Sequence, residues 1–429
     1  MTGTHGGALT VPSLHTFVSS YTLVKPDGDM MTVTKQDDPL LFSAMAPSMG
    51  VFGAVVEMEI DVVPLEILEA RMEVISFEDL ADAFEPAMRS NKYARVVVYP
   101  SINKATIWTA NPVPSRKHAI AEGATNAPNY ANFRNEKEKK LLEEYLILCK
   151  EDKFDEADMV LHTVLDSQLN RLKHYVGQYN HVLCKERCNG IPHADIEFNF
   201  DFGKNREVIR NVQKYCNGHR VPYYNFEIRA TKQDDAMLSC CHGRDAMWID
   251  FQAKADISRA FFDEIEAVLK PIGFRKHWAK GMDNTSPGYV VQQFPLIGTF
   301  LQLMKDFDPD GKFRNTQGES WFKMLDRIDF EVSAQPQTLG STTKATTNWA
   351  ETVSVDPAQF RYPESISEVV SLVKTHDKIR CAGALHSCAP LITSEGIIMS
   401  LTKLDQIINI DLEKKSVRCL AGVRIHDLW

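Results

Sequence analysis

Residues 2–7 read TGTHGG, and this glycine-rich stretch is the starting point for inferring the fold. Glycines at 3, 6 and 7 let backbone amides come close to a bound phosphate, because no side chain stands in the way. Turns of this kind normally lie between two strands, whereas this one opens the chain. We therefore expect the strand that leads into it in space to come from elsewhere in the sequence.

A second turn of the same type lies near the other end, in RCAGALHS, residues 380–387. The apolar residues before it predict a strand at 379–382 that enters a tight turn at Gly383 and Ala384, where backbone amides can face a diphosphate. His386 would lie beside any ring system attached to that diphosphate. A single histidine on a turn is more often structural than catalytic, so His386 alone leaves both interpretations open.

Composition indicates an ordinary globular protein. The chain has 429 residues, 44% of them hydrophobic and 24% charged, which favours two or three folded domains. The net charge of -9 argues against a nucleic-acid partner. No apolar run is long enough to predict a spanning helix, while peripheral attachment to a membrane surface and the oligomeric state stay open. The nine cysteines lack CxxC spacing and are expected to be buried thiols in a reducing compartment.

Changes in pattern divide the chain into four segments. Short alternating apolar runs make residues 1–65 strand-rich, with a hairpin predicted around the PDG turn at 26–28 and a strand predicted at 54–63. Residues 66–330 mix strands with helices in an order typical of an α+β domain with a mainly antiparallel sheet. The stretch NEKEKK to YVG, residues 135–177, is the longest helical pattern. Residues 331–347 are rich in Ser and Thr and predict a linker. Residues 348–429 begin a new pattern, with a helix capped by Ser365 and Glu368.

Two polar clusters are candidates for chemistry. In FEIRATKQDD, strand alternation places Glu227 and Arg229 on one face, where they form either a simple ion pair or a clamp that binds a substrate hydroxyl and oxyanion. In RKHWAKGMD, His277 and Lys280 lie close to Trp278 between two glycines. This second cluster is as consistent with solvated charge as with function, and no metal site is predicted because further ligands with suitable spacing are lacking.

Taken together, the motifs resemble those of one family, the aldonolactone oxidases, within the vanillyl-alcohol-oxidase-type flavoproteins. The similar stretches include NWA at 348–350, YPES at 362–365, the turn ending in HS at 386–387 and GTHG at 3–6. The E-x-R strand, the HW-x-K loop and FDPDGKFRN at 307–315 follow. Each motif is weak alone, but jointly they cover nearly the whole chain. Their order is rotated, since the part that opens the family's chains stands last here.

The resemblance implies a two-part FAD-binding domain of the PCMH type, formed by residues 348–429 and 1–65, around a substrate domain at 66–330. It implies FAD as cofactor, with a covalent bond through His386. The cofactor-binding residues implied in this way are Gly3, Thr4, His5, Gly6, Gly53, Val55, Gly383, Ala384, Leu385, His386 and Ser387. The catalytic residues implied are Glu227, Arg229, His277 and Lys280.

The reaction implied is oxidation of the secondary alcohol next to the carbonyl of a sugar 1,4-lactone, of the arabinono, gulono or galactono type, by O2 with release of H2O2. The partners would be the lactone and O2, in an intracellular location that is cytoplasmic or on a mitochondrial or microsomal membrane surface. An alditol oxidase and a lactone dehydrogenase are alternative enzymes. A flavin-free remnant without activity is the alternative of another class.

Two departures from the family pattern matter. Leu385 stands where the family usually has glycine, and leucine lacks glycine's freedom at positive φ. The family also has a further segment, about two dozen residues long, between IHDLW and TGTHGG. The rotated order is consistent with a natural permutation, a reading frame across two tandem copies or a truncated gene model. The missing segment slightly favours loss of residues at a seam, by either of the last two routes, over a simple permutation that would keep every residue.

Overall fold

The computed structural model describes residues 7–127, 135–183, 191–254, 258–281, 286–314 and 346–428. Gly3, Thr4, His5 and Gly6 lie outside the described residues, as does the predicted linker up to residue 345. The cysteines within the described ranges are free thiols. No helix in these ranges is both long and apolar enough to cross a membrane.

Strands occur from one end of the described chain to the other. Those before residue 300 are β1 Val18–Val24, β2 Met30–Thr34, β3 Ala54–Asp61, β4 Ile67–Ser76, β5 Tyr93–Tyr99, β6 Lys104–Pro112, β7 Thr125–Asn126, β8 His174–Gln178, β9 Ala194–Asp201, β10 Phe226–Thr231, β11 Ala246–Ala253 and β12 Arg275–Lys276. Those after it are β13 Thr346–Thr347, β14 Ser354–Val355, β15 Phe360–Arg361, β16 Ile379–Ala382, β17 Ile397–Ser400, β18 Ile407–Asp411 and β19 Ser416–Leu420.

Helices lie between the strands, as the mixed sequence pattern predicts. They are α1 Pro39–Met45, α2 Leu80–Ser90, α3 Arg116–Ala121, α4 Glu136–Lys150, α5 Phe154–Leu172, α6 Tyr179–Leu183, α7 Asn205–Gly218, α8 Ser258–Leu269, α9 Pro287–Gln293, α10 Ile297–Phe307 and α11 Ile366–Thr375. The long helical pattern at 135–177 contains two helices, α4 and α5, because the chain turns at Asp152, whose φ is 56°. Its last four residues, 174–177, belong to strand β8, so the helical prediction was wrong there. The two helices pack against each other and bury leucines of both in one apolar cluster.

A five-stranded sheet joins the two ends of the chain. Its strand order is β18-β19-β3-β1-β2, so β19 from the C-terminal part pairs with β3 from the N-terminal part, with Val417 opposite Ile60. The predicted hairpin is confirmed as β1 and β2, which flank the turn at Pro26–Gly28. The strand expected to begin at Ala54 is β3. The strands that the sequence separates by more than 350 residues are therefore neighbours in one sheet.

Beside this sheet lies a small parallel one with the order β15-β17-β16, covered by α11. Ser365 caps α11 by accepting a hydrogen bond from the Glu368 amide, while the Glu368 carboxylate accepts from the amide of Glu364 rather than from that of Ser365. The shared core includes Phe313, which is fully buried, and the amide of Ile379 donates to the carbonyl of Lys312. Part of the FDPDGKFRN segment therefore packs against the small sheet.

The largest sheet has nine strands in the order β12-β9-β11-β10-β5-β6-β4-β8-β7, antiparallel except for the pair β7–β8. One face carries the apolar residues of the main core, packed against α2, α7 and α8. On β9–β11–β10 the opposite face carries charged and polar residues, since side chains alternate between the two faces of a strand. The expected α+β architecture with a mainly antiparallel sheet is confirmed, and its polar face positions the candidate site.

Candidate active site

The turn at 383–387 follows the carboxyl end of β16, the edge of a parallel sheet where ligands usually bind. A Cβ built on Gly383 would meet no heavy atom within 4 Å, and Gly383 and Ala384 are exposed. Leu385 has φ 57°, which is the left-handed conformation that favours glycine. This is the position at which the resembled family usually has glycine. The Leu385 side chain packs against a small apolar cluster.

Backbone amides in this turn suit a diphosphate. Within the described residues, the amides of Ala384 and Leu385 donate no hydrogen bond. Amides without a partner beside an open glycine form a cradle for phosphate oxygens. The turn therefore fits the diphosphate of the FAD that the sequence resemblance implies. Its predicted companion at Gly3–Gly6 lies outside the described residues.

Gly53 and Val55 lie where β3 begins. Gly53 has φ 133°, and a Cβ there would come within 2.3 Å of the carbonyl oxygen of Val24. Close contact with neighbouring backbone thus requires glycine at this position, independently of any cofactor. Val55 pairs with Leu23 in the same sheet. Their role beside a cofactor stays a prediction.

The HW-x-K loop contacts the turn directly. The carbonyl oxygen of Ala279 accepts hydrogen bonds from the Ser387 hydroxyl and the Cys388 amide, each at 2.9 Å. On its other side the loop is fixed to the large sheet, because the His277 amide donates to the carbonyl of Glu197. The predicted catalytic loop and the predicted cofactor turn therefore meet, with Lys280 next to the shared carbonyl.

Three carboxylates form a row across the polar face of the sheet. The register places Glu197 of β9 opposite Asp250 of β11, and Asp250 opposite Glu227 of β10. The next row along the same strands includes Trp248 and Arg229. Glu227 and Arg229 thus share a face, as the alternation predicts. The clamp interpretation of these two residues is compatible with this placement, and their roles stay a prediction.

Arg229 pairs with Glu197, which is two strands away. Its Nε and Nη2 atoms lie 3.0 and 2.6 Å from Glu197 Oε1, and its guanidinium lies 4.5 Å from the centre of the Trp248 ring. Burial disfavours the Glu197 carboxylate, but attraction to Arg229 and Lys280 outweighs this and lowers its pKa well below the ordinary range. Glu197 is therefore ionised and fixes the orientation of Arg229.

Lys280 is surrounded by carboxylates. Its Nζ lies 2.5 Å from Asp250, 3.1 Å from Glu197 and 3.8 Å from Asp195. Burial disfavours the ammonium, but these three neighbours hold the Lys280 pKa well above its ordinary value. Burial raises the pKa of Asp250 against the attraction of Lys280, so Asp250 is the carboxyl of this cluster that binds a proton most readily. The cluster can thus hold a proton beside the cofactor turn.

His277 is buried between the loop and the sheet. Its Nδ1 accepts a hydrogen bond from the Ala279 amide at 3.1 Å, and its Nε2 lies 3.8 Å from Glu197. Accepting at Nδ1 places the proton of a neutral ring on Nε2, which faces the carboxylate. The structure therefore brings His277 and Lys280 to the same acidic residue. Their participation in chemistry remains a prediction.

The sequence reasoning missed Asp195, Glu197, Asp250 and His193, and included Trp349 only as part of the NWA motif. His193 Nε2 lies 3.0 Å from Asp195, and the Trp349 ring stacks on the His386 ring with centroids 5.0 Å apart. A usable signal existed, since ADIEFNF and MWIDFQ place acidic residues within otherwise apolar strands. No group of three or more His, Cys, Asp and Glu residues suited to a metal occurs among the residues described.

Known families match both parts of the chain. The family model described as D-arabinono-1,4-lactone oxidase matches residues 58–325, and the model described as an FAD binding domain matches residues 357–429. The FAD-binding match lies C-terminal to the other, as expected from the rotated order of motifs. The residues matched by the first model make up more than half of the chain.

Individual relatives are distant. L-gulonolactone oxidase of Mus musculus is 22% identical over 343 residues, covering 75% of this chain and 72% of the relative. L-gulono-1,4-lactone dehydrogenase of Mycobacterium tuberculosis is 21% identical over 324 residues, covering 73% and 70%. D-arabinono-1,4-lactone oxidase of Saccharomyces cerevisiae is 30% identical over 125 residues, covering 28% and 23%.

Solved structures support the fold. A cholesterol oxidase from Brevibacterium sterolicum superposes with a TM-score of 0.57 at 13% identity, covering 76% of this chain and 73% of that one. A solvent-stable cholesterol oxidase gives a TM-score of 0.56 at 14% identity, covering 70% and 68%. At this identity the likeness concerns architecture alone. The family is shown by the two family matches, which establish that the chain belongs to the aldonolactone oxidase family of FAD-dependent oxidoreductases.

Proposed function

We propose that the protein oxidises the secondary alcohol next to the carbonyl of a sugar 1,4-lactone of the arabinono, gulono or galactono type, with FAD as cofactor and O2 as electron acceptor. The observation that carries this proposal is the contact of Ala279 with Ser387 and Cys388. It brings the polar face of the large sheet to the turn that fits the cofactor's diphosphate. The family match supports the choice of substrate class.

Residues 383–387 would hold the FAD diphosphate, with Gly3, Thr4, His5 and Gly6 opposite, while Gly53 and Val55 would line the cofactor and His386 would form the covalent bond. FAD, when bound, accepts the hydride from the carbinol carbon. The protein's own task is then to orient the lactone, bind its oxygen atoms and accept the hydroxyl proton.

Arg229 is suited to bind the oxygen on which negative charge develops. Two of its nitrogens are fixed on Glu197, so the planar guanidinium is oriented before the substrate arrives. Glu227, two residues earlier on the same face, would accept a hydrogen bond from a substrate hydroxyl. Their spacing along the strand is about 7 Å, which suits neighbouring oxygens of one small sugar ring.

Lys280 and His277 would set the protonation of the acidic residues beside the bound lactone. Lys280 has three carboxylate neighbours for its three N–H donors, so its main effect is to keep Glu197 and Asp195 ionised in a buried setting. His277 would assist near the substrate oxygen. Asp250, whose pKa burial raises against the attraction of Lys280, would be the carboxyl of this cluster that exchanges a proton with the substrate.

The first test is spectroscopic and kinetic. The purified protein should be yellow, and it should consume O2 and form H2O2 with an arabinono-, gulono- or galactono-1,4-lactone. We expect Arg229→Lys to lower kcat/KM by about 10²-fold, because a fixed planar donor is lost. Arg206→Lys is the matched control, since Arg206 is a largely exposed arginine paired with Asp82 and should have no effect.

Other outcomes would identify the alternatives. Reduction of a dye acceptor without O2 consumption would indicate a lactone dehydrogenase, and preference for an open polyol would indicate an alditol oxidase. A colourless protein that does not take up FAD would favour the inactive remnant. Equal rates for Arg229→Lys and the native chain would contradict the proposed site.

A further inference from the structure

His386 is fixed through the residues on either side of it. The Leu385 carbonyl accepts a hydrogen bond from the Trp349 amide at 2.9 Å, and the Ser387 carbonyl accepts one from Asn348 Nδ2 at 2.8 Å. The Trp349 ring also stacks on the His386 ring, with an interplanar angle of 21°. Backbone and ring of His386 are therefore both held by the NWA segment, although His386 itself is exposed.

Trp349 is held in turn by the other half of the molecule. The His193 ring meets it edge-on, with centroids 4.7 Å apart and an interplanar angle of 85°. His193 is oriented by polar contacts at both nitrogens, since Nε2 lies 3.0 Å from Asp195 and Nδ1 lies 2.8 Å from the Ile191 carbonyl. A line of contacts thus runs from the acidic cluster through two rings to His386.

We propose that Trp349 and His193 are positioning residues that hold the His386 ring in the orientation needed for its covalent bond with FAD. The inference rests on the proposed function, because it presupposes FAD at the 383–387 turn. In that step an imidazole N–H and a methyl C–H of the flavin ring are replaced by an N–C bond. The two electrons and two protons released reduce the flavin, and O2 then takes them up as H2O2.

The need for positioning follows from exposure. An exposed histidine samples several staggered rotamers, and only some of them present a ring nitrogen to a neighbouring methyl group. Stacking on a fixed tryptophan restricts this sampling, which is how an aligned intramolecular reaction gains speed. Loss of one aromatic contact of this type should slow covalent attachment by about 3- to 10-fold.

The test compares variants in the rate of covalent attachment. Apo-protein is mixed with FAD, and samples are precipitated with acid over time to separate covalent from released flavin. Denaturing gels viewed under ultraviolet light give a second measure. Trp349→Ala should show about 3- to 10-fold slower attachment with unchanged total flavin, while Trp349→Phe, which keeps a stacking ring, should be close to the native chain.

Two further variants separate positioning from folding. His193→Gln keeps a polar side chain near Asp195 but removes the ring from Trp349, and should give a smaller slowing in the same direction. Tyr362→Ala is the control, since it removes a stacked pair with Phe360, 5.9 Å between centroids, from an exposed side chain outside the turn. If Trp349→Ala does not fold, the rate of covalent flavin attachment in His193→Gln decides whether these ring contacts position His386.

The outcomes are distinguishable. Equal attachment rates in all variants would overturn the positioning role, as would a parallel loss of total flavin and thermal stability in Trp349→Ala and Trp349→Phe alike. A yellow native protein that releases all its flavin in acid would overturn this inference and leave the proposed oxidation standing. A native protein that binds no FAD would overturn both.

Discussion

Replacing Glu197 by glutamine removes the charge at the centre of the candidate site while keeping its shape. Glu197 Oε1 accepts two hydrogen bonds from Arg229 and Oε2 lies 3.1 Å from Lys280. The carboxylate side chain is 2% exposed, so water cannot replace these contacts. We expect Glu197→Gln to lower the free energy of unfolding and to loosen the orientation of Arg229.

The size of the stability loss depends on which carboxylate partners Lys280 and Arg229 keep after the substitution. Lys280 keeps Asp250 and Asp195 as neighbours, so the contact that changes most is the one with Arg229. Breaking a buried ion pair costs about 3–5 kcal/mol. Glutamine still offers an amide oxygen, and the Arg229 side chain is 21% exposed, so the lower end applies. We therefore expect a loss of about 3 kcal/mol at pH 7.

Urea unfolding followed by tryptophan fluorescence measures this loss, because the ring of Trp248 lies under Arg229 and is fully buried. The control is Lys35→Gln, which breaks the exposed pair with Asp235 and should cost no more than about 1 kcal/mol. A double variant with Arg229→Gln should cost clearly less than the sum of the two single variants. Additive losses, or a Glu197→Gln loss no larger than the control's, would refute the reasoning.

The pH dependence has a defined sign. The pKa of Glu197 is lower in the folded protein than in the unfolded chain. Its contribution is therefore fully present above the ordinary glutamate pKa and is lost as the pH falls towards the folded value. The deficit of Glu197→Gln should accordingly be constant from about pH 6 upward and shrink below about pH 4. A deficit that grows on acidification would contradict the assignment.

Three further predictions concern single positions. Burial raises the pKa of Asp250 in the folded protein, so the stability that its protonated form contributes is lost as the pH rises through the folded-state pKa. The stability of Asp250→Asn relative to the native chain should therefore increase with pH in urea titrations from pH 4 to 9. Gly53→Ala should destabilise by at least about 2 kcal/mol in the same assay because of its φ and the contact with Val24, whereas Gly123→Ala, with open space around it, should lose about 1 kcal/mol. Arg380→Met should lower the free energy of unfolding by about 3 kcal/mol, because three carbonyl oxygens bonded to the buried guanidinium lose their donor; unchanged thermal unfolding would contradict this.

Local sequence patterns were sufficient to predict several strands and helices and the shared strand face of one pair of site residues. Period-two alternation correctly placed Glu227 and Arg229 on one strand face, and the PDG turn correctly predicted the first hairpin. These successes share a cause, since each depends on residues within a few positions of one another.

The rest of the site depends on register between distant strands. Arg229 meets Glu197 only because β11 lies between β10 and β9 with a defined alignment, and no local pattern encodes that alignment. The pairing partner of Lys280 is likewise set by where the loop after β12 returns to the sheet. The break between α4 and α5 was missed for a different reason, because Asp152 adopts a left-handed conformation that the apolar period does not reveal.

Rotation of the motif order is compatible with one fold because sheet pairing does not depend on chain order. β19 and β3 form an antiparallel pair from Ser416 opposite Asp61 to Leu420 opposite Glu57, although they lie near opposite ends of the sequence. The entropy of closing such a loop grows only logarithmically, by about 0.6 kcal/mol for each doubling of length. The two parts are also tied by Arg380, whose guanidinium donates to the carbonyls of Met49 and Phe313. Cross-contacts of this kind, buried and specific, hold the C-terminal part that carries the turn at 383–387 against the N-terminal part of the chain.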